Sequence, residues 1–261
     1  MTRETTALRL GKETERICTF ILDIVDQSSA RGAVVAMSGG VDSAVVGALC
    51  VKALGKRRVL ALLMPSDHTP EQDVSDAKKL AEGWGVKWEV VPITAIVDRL
   101  VDAAKVEGTR IAKGNAEARV RMATAYYYAN SIGYIVAGTG DRSESILGYF
   151  TKWGDGGVDM LPIVHLFKTQ VRQLGVYLGL PKEIVEKPAS PQLWPGHKAS
   201  DEIPAGYDKV DVLLHCVYDL RLRPAEAARK AGVPVGVLDK VLEMHARTEH
   251  KRNLPPSLSP V

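Results

Sequence analysis

A glycine turn between an apolar strand and a helix constrains this chain more than any other feature. Residues 33–37 read Ala-Val-Val-Ala-Met, a run of strand length, and residues 38–43 continue as Ser-Gly-Gly-Val-Asp-Ser before a segment of helix-like composition. Glycines let the backbone approach a ligand closely, and the first N–H groups of a helix point outward without partners. The unit therefore predicts an anion site where this strand meets its helix.

The turn is not a Walker P-loop, which places a lysine and then a serine or threonine after its last glycine. Here a carboxylate, Asp42, stands inside the loop, where it would repel a phosphate. A divalent cation that bridges Asp42 to the phosphates would remove this conflict. The simpler alternative is an ordinary turn in which Asp42 or Ser43 caps the helix. All six residues together in this setting favour the anion site.

Three more apolar runs alternate with helical patterns after this turn. They cover Arg58–Met64, Val86–Val91 and Tyr134–Ala137. Four strand–helix alternations predict an α/β fold with a Rossmann-like, doubly wound parallel sheet, whose ligands bind beyond the carboxyl ends of the strands. We expect a single domain over residues 1–261, with the nucleotide-binding core over about 30–145. Substrate loops and helical additions are expected over about 146–261.

Further helices are predicted outside this core. Helical periodicity covers Glu4–Ser29, Phe167–Leu178, Asp208–Leu220, Pro224–Ala231 and Val235–Arg247. The stretch Pro188–Tyr207 holds four prolines and is expected to be an irregular loop.

Composition excludes several classes of protein. The net charge of +3 is too small to indicate nucleic-acid binding, and no apolar run is long enough to cross a membrane. Cys18, Cys50 and Cys216 form no Cys-X-X-Cys pair, which favours reduced thiols and a cytoplasmic protein. The six histidines show no zinc-ligand spacing.

A second cluster, Gly-Thr-Gly-Asp-Arg-Ser-Glu over residues 138–144, repeats the theme of a strand end followed by a carboxylate. Carboxyl ends of parallel strands meet at one edge of a sheet, so Asp42 and Glu144 are expected to hold Mg²⁺ over a triphosphate. Taken alone, Glu144 is better explained as an acidic residue that the helix dipole favours. Its pairing with Asp42 favours the metal role.

A loop with four glycines follows over residues 148–159. Lys152 and Asp159 in this loop suit contacts with opposite ends of a polar substrate. A merely solvated loop is the alternative, but three aromatic residues would be costly in it.

Cationic residues supply further candidates. Lys168 begins a helix, where the dipole disfavours a cation unless a phosphate lies nearby; a solvent-facing lysine is equally consistent. Arg119 and Arg121 are two residues apart and cannot share a helix face, so at most one faces the site, and we expect Arg119. The basic triplet of residues 250–252 is expected to dock rather than to extend into solvent.

With these motifs the chain resembles the ammonia-dependent NAD synthetases of the N-type ATP pyrophosphatase (PP-loop) superfamily, which share an adenine nucleotide alpha hydrolase-like fold. The Ser38–Ser43 loop alone indicates only the superfamily. The motifs at residues 114–122, 148–157 and 249–252 narrow the resemblance to NAD synthetases. The sequence of residues 138–144 is typical of the archaeal branch of this family.

The resemblance implies a role for each matching residue. Mg²⁺ would be bound by Asp42 and Glu144. Contacts to ATP would come from Ala36, Met37, Ser38, Gly39, Gly40, Val41, Asp42, Ser43, Thr139, Lys168 and Ser190. Contacts to deamido-NAD, the nicotinic acid dinucleotide, would come from Arg119, Lys152, Asp159, His250 and Lys251.

The implied reaction is the ATP-dependent amidation of deamido-NAD to NAD. The nicotinate carboxylate would become an adenylate with loss of pyrophosphate, and ammonia would then displace AMP. Asp42 and Lys168 would be catalytic, and Asp159 is a candidate to accept a proton from ammonium. Another adenylating PP-loop enzyme and a non-catalytic nucleotide sensor are the alternatives.

The nitrogen source and the oligomeric state are further expectations. A chain of 261 residues has no room for a glutaminase domain, so free ammonia is the predicted donor, although a separate glutaminase partner stays compatible with the sequence. The resemblance also implies a symmetric homodimer. The tyrosine-rich helix around Ala123–Ala129 offers a contact face, with ordinary core packing as the alternative.

Overall fold

A four-stranded parallel sheet organises the chain in the computed structural model, which describes residues 9–258. The strand order is β3-β2-β1-β4, and every neighbouring pair runs parallel. The strands are β1 Ala33–Ala36, β2 Val59–Leu63, β3 Lys87–Val90 and β4 Ile135–Ala137. The chain moves outward from β1 in one direction through β2 and β3, and then returns to the other side as β4. This order confirms the predicted doubly wound sheet.

Helices connect the strands and form most of the C-terminal half. Those up to β4 are α1 Leu10–Gln27, α2 Val41–Leu54, α3 Glu71–Trp84, α4 Thr94–Ala104 and α5 Arg110–Ile132. Those after β4 are α6 Arg142–Leu147, α7 Lys168–Tyr177, α8 Lys182–Val185, α9 Tyr207–Leu214, α10 Pro224–Ala231, α11 Val235–Arg247 and α12 Glu249–Arg252. The predicted bounds of α10 and α11 are confirmed. Residues 4–8 of the first predicted helix and 259–261 of the tail lie outside the described residues.

Side chains of β1 alternate between two buried layers. Ala33 and Val35 point into a cluster shared with α1, α2 and α7, whereas Val34 points into a second cluster shared with α4 and α5. Because both faces of the strand are covered, its sequence is apolar throughout rather than alternating. This explains why residues 33–37 carry so clear a strand signal.

The C-terminal half has a core of its own. Leu147, Phe167, Leu213 and Leu238 belong to a cluster that α6, α9, α10 and α11 enclose. Helix α7 contacts α2 and α1, which joins this half to the sheet layer. Among the helices within residues 9–258, none is both long and apolar enough to cross a membrane.

Candidate active site

A cavity of about 1120 Å³ opens at the carboxyl edge of the sheet. The residues that end β1, β2 and β4 contribute to its wall, together with the turn after β1 and the start of α7. Parallel sheets of this topology bind ligands at this edge. The cavity is therefore the candidate active site.

The turn after β1 keeps its shape through one glycine and two serines. Gly39 has a φ of +79°, and a Cβ at this position would lie 2.3 Å from the carbonyl oxygen of Asp73, so a side chain does not fit. The Ser43 Oγ donates to the Gly40 carbonyl at 3.0 Å and accepts from the Ser38 N–H at 3.2 Å. Ser43 thus fastens the loop internally.

Helix α2 begins at Val41 without a side-chain cap on its N-terminus. The alternative in which Asp42 or Ser43 caps this helix is therefore wrong. The N–H groups of the first turn are left for a ligand, and an anion is the ligand that such groups favour.

Lys168 lies at the centre of three carboxylates below this turn. Its Nζ is 2.7 Å from Asp42 Oδ2, 2.9 Å from Asp141 Oδ2 and 2.8 Å from Glu144 Oε1. The structure thus brings Asp42 and Glu144 together from separate strand–helix units, as their positions at two strand ends predict. The Lys168 side chain is only 1% exposed, so these ion pairs are shielded from water.

Burial and charge act in opposite directions in this cluster. Burial alone would lower the pKa of Lys168, but the charges of Asp141, Asp42 and Glu144 raise it well above its usual value. Burial raises the pKa of Asp141, and the nearby charge of Glu144 raises it further. Burial likewise raises the pKa of Glu144. The cluster carries more negative than positive charge, and a bound cation would relieve that imbalance.

The donor set fits Mg²⁺ that arrives with phosphates. Asp42 Oδ1 is buried and has no hydrogen-bond partner among residues 9–258. In that same part of the chain, no three His, Cys, Asp or Glu side chains are grouped so that they could hold a metal by themselves. Mg²⁺ is usually held by one or two carboxylates together with waters and substrate phosphates. Asp42 and Glu144 suit that pattern.

Asp141 is a site residue that the sequence analysis missed. It is fully buried, accepts from the Glu144 N–H at 2.8 Å, and its own N–H donates to Glu144 Oε2 at 3.2 Å. This reciprocal capping box starts α6 and fixes the direction of Glu144. An Asp followed three residues later by a Glu is the signal that could have identified it.

Asp211 of α9 anchors the start of α7 and was also missed. Its carboxylate accepts from Ser143 Oγ at 2.6 Å and from the Thr169 N–H at 2.8 Å. Ser143 Oγ in turn accepts from the Lys168 N–H at 3.1 Å. These bonds fix the backbone from which Lys168 projects. No local motif marks Asp211, because its role depends on the packing of α9.

A second lysine, Lys187, is partly buried and supports the turn from the other side. Lys187 Nζ donates to the Gly39 carbonyl at 2.9 Å, to Asp73 at 2.6 Å and to Asp76 at 2.7 Å. Because Asp73 and Asp76 belong to α3, this lysine ties the turn to that helix. Lys187 is a further residue that could not be identified from the sequence, because its partners lie more than 100 residues away in the chain.

Asp76→Asn is expected to destabilise the fold by about 1–2 kcal/mol at pH 7. Burial alone would raise the pKa of Asp76, but hydrogen bonds from Lys187 and Gln72 lower it. A carboxyl group with a lowered folded-state pKa stabilises above its unfolded pKa of about 3.9, and this stabilisation is lost as pH falls through the folded value. Thermal unfolding at pH 7 and pH 3 tests this, with exposed Asp102→Asn as control. An Asp76→Asn effect equally large at pH 3 would contradict the assignment.

Of the two arginines Arg119 and Arg121, Arg121 is the one that lines the cavity. Its Nε donates to the Met64 carbonyl at 3.0 Å, and its guanidinium lies 3.7 Å from Glu117, one helical turn earlier. Arg119 is exposed, and its guanidinium donates to the Lys152 carbonyl at 3.3 Å. The expectation that Arg119 faces the site is thus wrong for this cavity, because α5 turns its Glu117–Arg121 face toward β2. Its predicted contact with deamido-NAD stays a prediction.

Three other residues that are predicted to bind the substrate do not line the cavity of this single chain: Lys152, Asp159 and His250. Lys152 Nζ donates to the His250 carbonyl at 2.6 Å. Asp159 accepts from the Tyr126 hydroxyl at 2.9 Å and from the Val136 N–H at 2.7 Å. Their predicted contact with deamido-NAD stays a prediction, since none of the three side chains lines this cavity.

The remaining predicted residues line the cavity, with the exception of Gly39. Thr139 and Ser190 belong to the lining, and the Ser190 hydroxyl donates to the His197 carbonyl. Lys251 donates to the Gly148 carbonyl at 2.7 Å and to the Phe150 carbonyl at 2.6 Å. The lining also includes Ala36, Met37, Ser38, Gly40, Val41, Asp42, Ser43, Glu144 and Lys168.

Comparisons with known proteins give matches over most of the chain. A family model described as NAD synthase matches residues 13–255. The NH(3)-dependent NAD(+) synthetase of Hyperthermus butylicus is 50% identical over 242 residues, which cover 92% of this chain and 88% of that protein. The corresponding protein of Archaeoglobus fulgidus is 46% identical over 250 residues, 95% of this chain and 97% of that protein.

Solved structures are similar as well. The NMN synthetase from Francisella tularensis superposes with a TM-score of 0.85 at 33% identity, covering 97% of this chain and 99% of that chain. The NH3-dependent NAD synthetase from Campylobacter jejuni, in complex with the nitrate ion, has a TM-score of 0.82 at 27% identity, covering 97% and 100%.

Proposed function

Since this chain belongs to the NAD synthase family, we propose that it forms NAD from deamido-NAD, ATP and ammonia. Relatives from archaea at 40–50% identity bear the name NH(3)-dependent NAD(+) synthetase. The observation that carries the proposal is the meeting of Asp42 and Glu144 on Lys168, directly below an uncapped helix N-terminus. A binding module that only senses nucleotide has no need of such a charged cluster.

The proposed reaction has two steps. An oxygen of the nicotinate carboxylate attacks the α-phosphorus of ATP, and the bond from that phosphorus to the bridging oxygen of pyrophosphate breaks. Ammonia then attacks the acyl carbon, AMP departs, and one proton is released. No protein nucleophile takes part, so catalysis consists of positioning and electrostatic stabilisation.

Each part of the cavity wall has a role in this proposal. The Ser38–Ser43 turn and the first N–H groups of α2 bind the phosphates. Lys168 keeps Asp42 and Glu144 aligned and reduces the repulsion between them. Thr139 and Ser190 contact ATP, and Lys251 contributes to the deamido-NAD site.

Mg²⁺ is the proposed cofactor, with Asp42 and Glu144 as its protein ligands. When bound, it supplies positive charge that weakens the repulsion among phosphates and polarises the reacting phosphorus. The buried, unpartnered Asp42 Oδ1 supports this assignment.

The surroundings of Asp159 do not favour the role of proton acceptor for ammonium. Both carboxylate oxygens of Asp159 already accept hydrogen bonds, from Tyr126 and from the Val136 backbone. We therefore assign Asp159 to the proposed substrate surface together with Arg119, Lys152 and His250, and not to proton transfer.

The deciding assay mixes the protein with ATP, Mg²⁺, deamido-NAD and an ammonium salt, and measures NAD, AMP and pyrophosphate. We expect equal amounts of the three products. Because the Francisella neighbour is named NMN synthetase, the assay is repeated with deamido-NMN in place of deamido-NAD. The stronger sequence similarity to NAD synthetases favours the dinucleotide. Pyrophosphate release that does not depend on either substrate would overturn the proposal.

We further propose a cytoplasmic homodimer. Tyr127 of α5 is 74% exposed and packs edge-on against Tyr128, which gives α5 an aromatic outer face. The chain has a mass of 28.3 kDa, so light scattering at micromolar concentration should report twice that value. A 28.3 kDa particle would contradict the dimer. The cytoplasmic assignment rests on the free thiols of Cys18, Cys50 and Cys216.

A further inference from the structure

The two lysines beside the turn of residues 38–43 are already paired with carboxylates of the protein. An ammonium group has three N–H donors. Lys168 lies within 2.9 Å of three carboxylates, and Lys187 donates to Gly39, Asp73 and Asp76. Both lysines therefore support the protein around the turn, and a cation without a carboxylate partner would add to the positive charge available for a triphosphate.

Arg172 lies one helical turn after Lys168 on α7 and lines the same cavity. Positions 168, 172 and 175 share one face of this helix. Lys168 contacts Asp42 in the first turn of α2, and a Cβ at Gly175 would lie 3.4 Å from Val45 in the next turn. The helix face that carries Arg172 is thus packed along the beginning of α2.

Arg172 has no partner within the part of the chain that the structure describes. Its Nε is buried and makes no hydrogen bond, and its guanidinium forms no ion pair with residues 9–258. A buried donor of a charged group that lacks an acceptor destabilises the folded protein. The position is therefore suited to an acceptor that comes from outside the chain, and the uncapped start of α2 attracts the same kind of group, an anion.

We propose that Arg172 binds the terminal phosphates of ATP and then the pyrophosphate that leaves. This inference rests on the proposed function, in which negative charge grows on pyrophosphate as its bond to the α-phosphorus breaks. A guanidinium offers two parallel N–H groups to one phosphate, and it stays charged throughout the reaction. Arg172 is then a catalytic residue for the leaving group, whereas Lys168 and Lys187 position the groups around it.

The test compares Arg172→Gln and Arg172→Lys with wild type, and uses Arg229→Gln as a control. Arg229 is an exposed arginine of α10 that does not line the cavity. Its replacement by Gln removes one positive charge, as Arg172→Gln does. Calorimetry with inorganic pyrophosphate and Mg²⁺ measures binding without any reaction. We expect Arg172→Gln to weaken pyrophosphate binding about tenfold or more, Arg172→Lys to weaken it less, and Arg229→Gln to leave it unchanged.

Steady-state kinetics provide a second readout. Arg172→Gln should raise KM for ATP and lower kcat, while KM for deamido-NAD stays within about twofold of wild type. Pyrophosphate binding by Arg172→Gln that equals wild type would overturn the proposal. An equal loss of affinity for AMP, pyrophosphate and deamido-NAD would also overturn it, since that pattern indicates a damaged cavity.

Failure of the proposed function would look different. Wild-type protein that forms neither NAD nor NMN, but loses pyrophosphate binding on Arg172→Gln, would retain the phosphate site and reject the assigned reaction. If Arg172→Gln does not fold, Arg172→Lys keeps the charge and removes the paired N–H groups. Unchanged pyrophosphate affinity in that variant would reject guanidinium-specific binding.

Discussion

Replacement of Lys168 by methionine is expected to lower the free energy of unfolding by about 3–5 kcal/mol at neutral pH. The substitution keeps an unbranched side chain of similar length and removes the ammonium group. Asp141 is fully buried, and Asp42 and Glu144 are each less than a quarter exposed. Without Lys168, these three carboxylates would face one another with no ion-pair partner among residues 9–258.

The loss of stability in Lys168→Met should depend on pH, and the ionisable groups of the cluster determine the direction. Burial already raises the pKa of Asp141 and of Glu144, and removal of Lys168 should raise both further. A carboxyl group with a raised folded-state pKa holds more protons in the folded protein, so its cost grows as pH rises above the unfolded value of about 4. Lys168 has a raised pKa, so its stabilisation is fully present below about pH 10 and is lost only above the folded value. The variant should therefore be closest to wild type near pH 4–5 and furthest from it at pH 8.

Urea unfolding of wild type and of Lys168→Met at pH 5 and pH 8 measures the difference in their free energies of unfolding. Lys182→Met is the matched control, since Lys182 is 80% exposed and its ion pair with Glu186 is long, at 3.7 Å. Exposed pairs contribute about 0–1 kcal/mol, so the control should stay close to wild type at both pH values. A Lys168→Met protein as stable as wild type at pH 8 would show that the cluster is not an energetic unit.

The fold could be predicted from the sequence because its strands and helices carry clear local sequence patterns. Strand β1 is buried on both faces, so it appears in the sequence as an unbroken apolar run. Gly55 and Gly133 take positive φ angles just after α2 and α5, where glycine readily ends a helix. Such signals are local, and the alternation of strands and helices then determines the sheet.

The sequence predicted those site residues whose positions are determined by the sheet alone. Asp42 and Glu144 each follow a strand end, and neighbouring parallel strands β1 and β4 bring those ends together. The choice between Arg119 and Arg121 depends instead on which face of α5 turns toward β2. That orientation arises from tertiary packing, which spacing along the chain does not encode.

Buried charges were the hardest features to predict. Nothing in the sequence distinguishes three of them from ordinary polar residues: Asp141, Lys187 and Asp211. Each contributes to the site through a partner that is distant in the chain. Arg172 is the converse case, because its importance lies in having no partner among the described residues. Neither property can be recognised before the tertiary packing around these residues is known.

Asp42→Asn is expected to lower kcat for NAD formation at least about 100-fold while the fold stays intact. The variant keeps the shape of the side chain, and an amide oxygen can still accept from Lys168, which lies 2.7 Å from Oδ2. It also removes one negative charge from a cluster that has an excess of them, so we expect the free energy of unfolding to change by less than about 1 kcal/mol. The loss of activity thus separates from stability, unlike the loss expected for Lys168→Met.

The measurement is kcat at saturating substrates over a series of Mg²⁺ concentrations. If Asp42 is a ligand, the variant should need more Mg²⁺ to reach its own maximal rate, because an amide binds the ion more weakly than a carboxylate does. Asp23→Asn, at an exposed position on α1 outside the cavity lining, is the charge-matched control and should retain wild-type turnover. An Asp42→Asn protein with the wild-type kcat and Mg²⁺ dependence would remove Asp42 from the metal site, and Glu144 would then have to bind the ion without it.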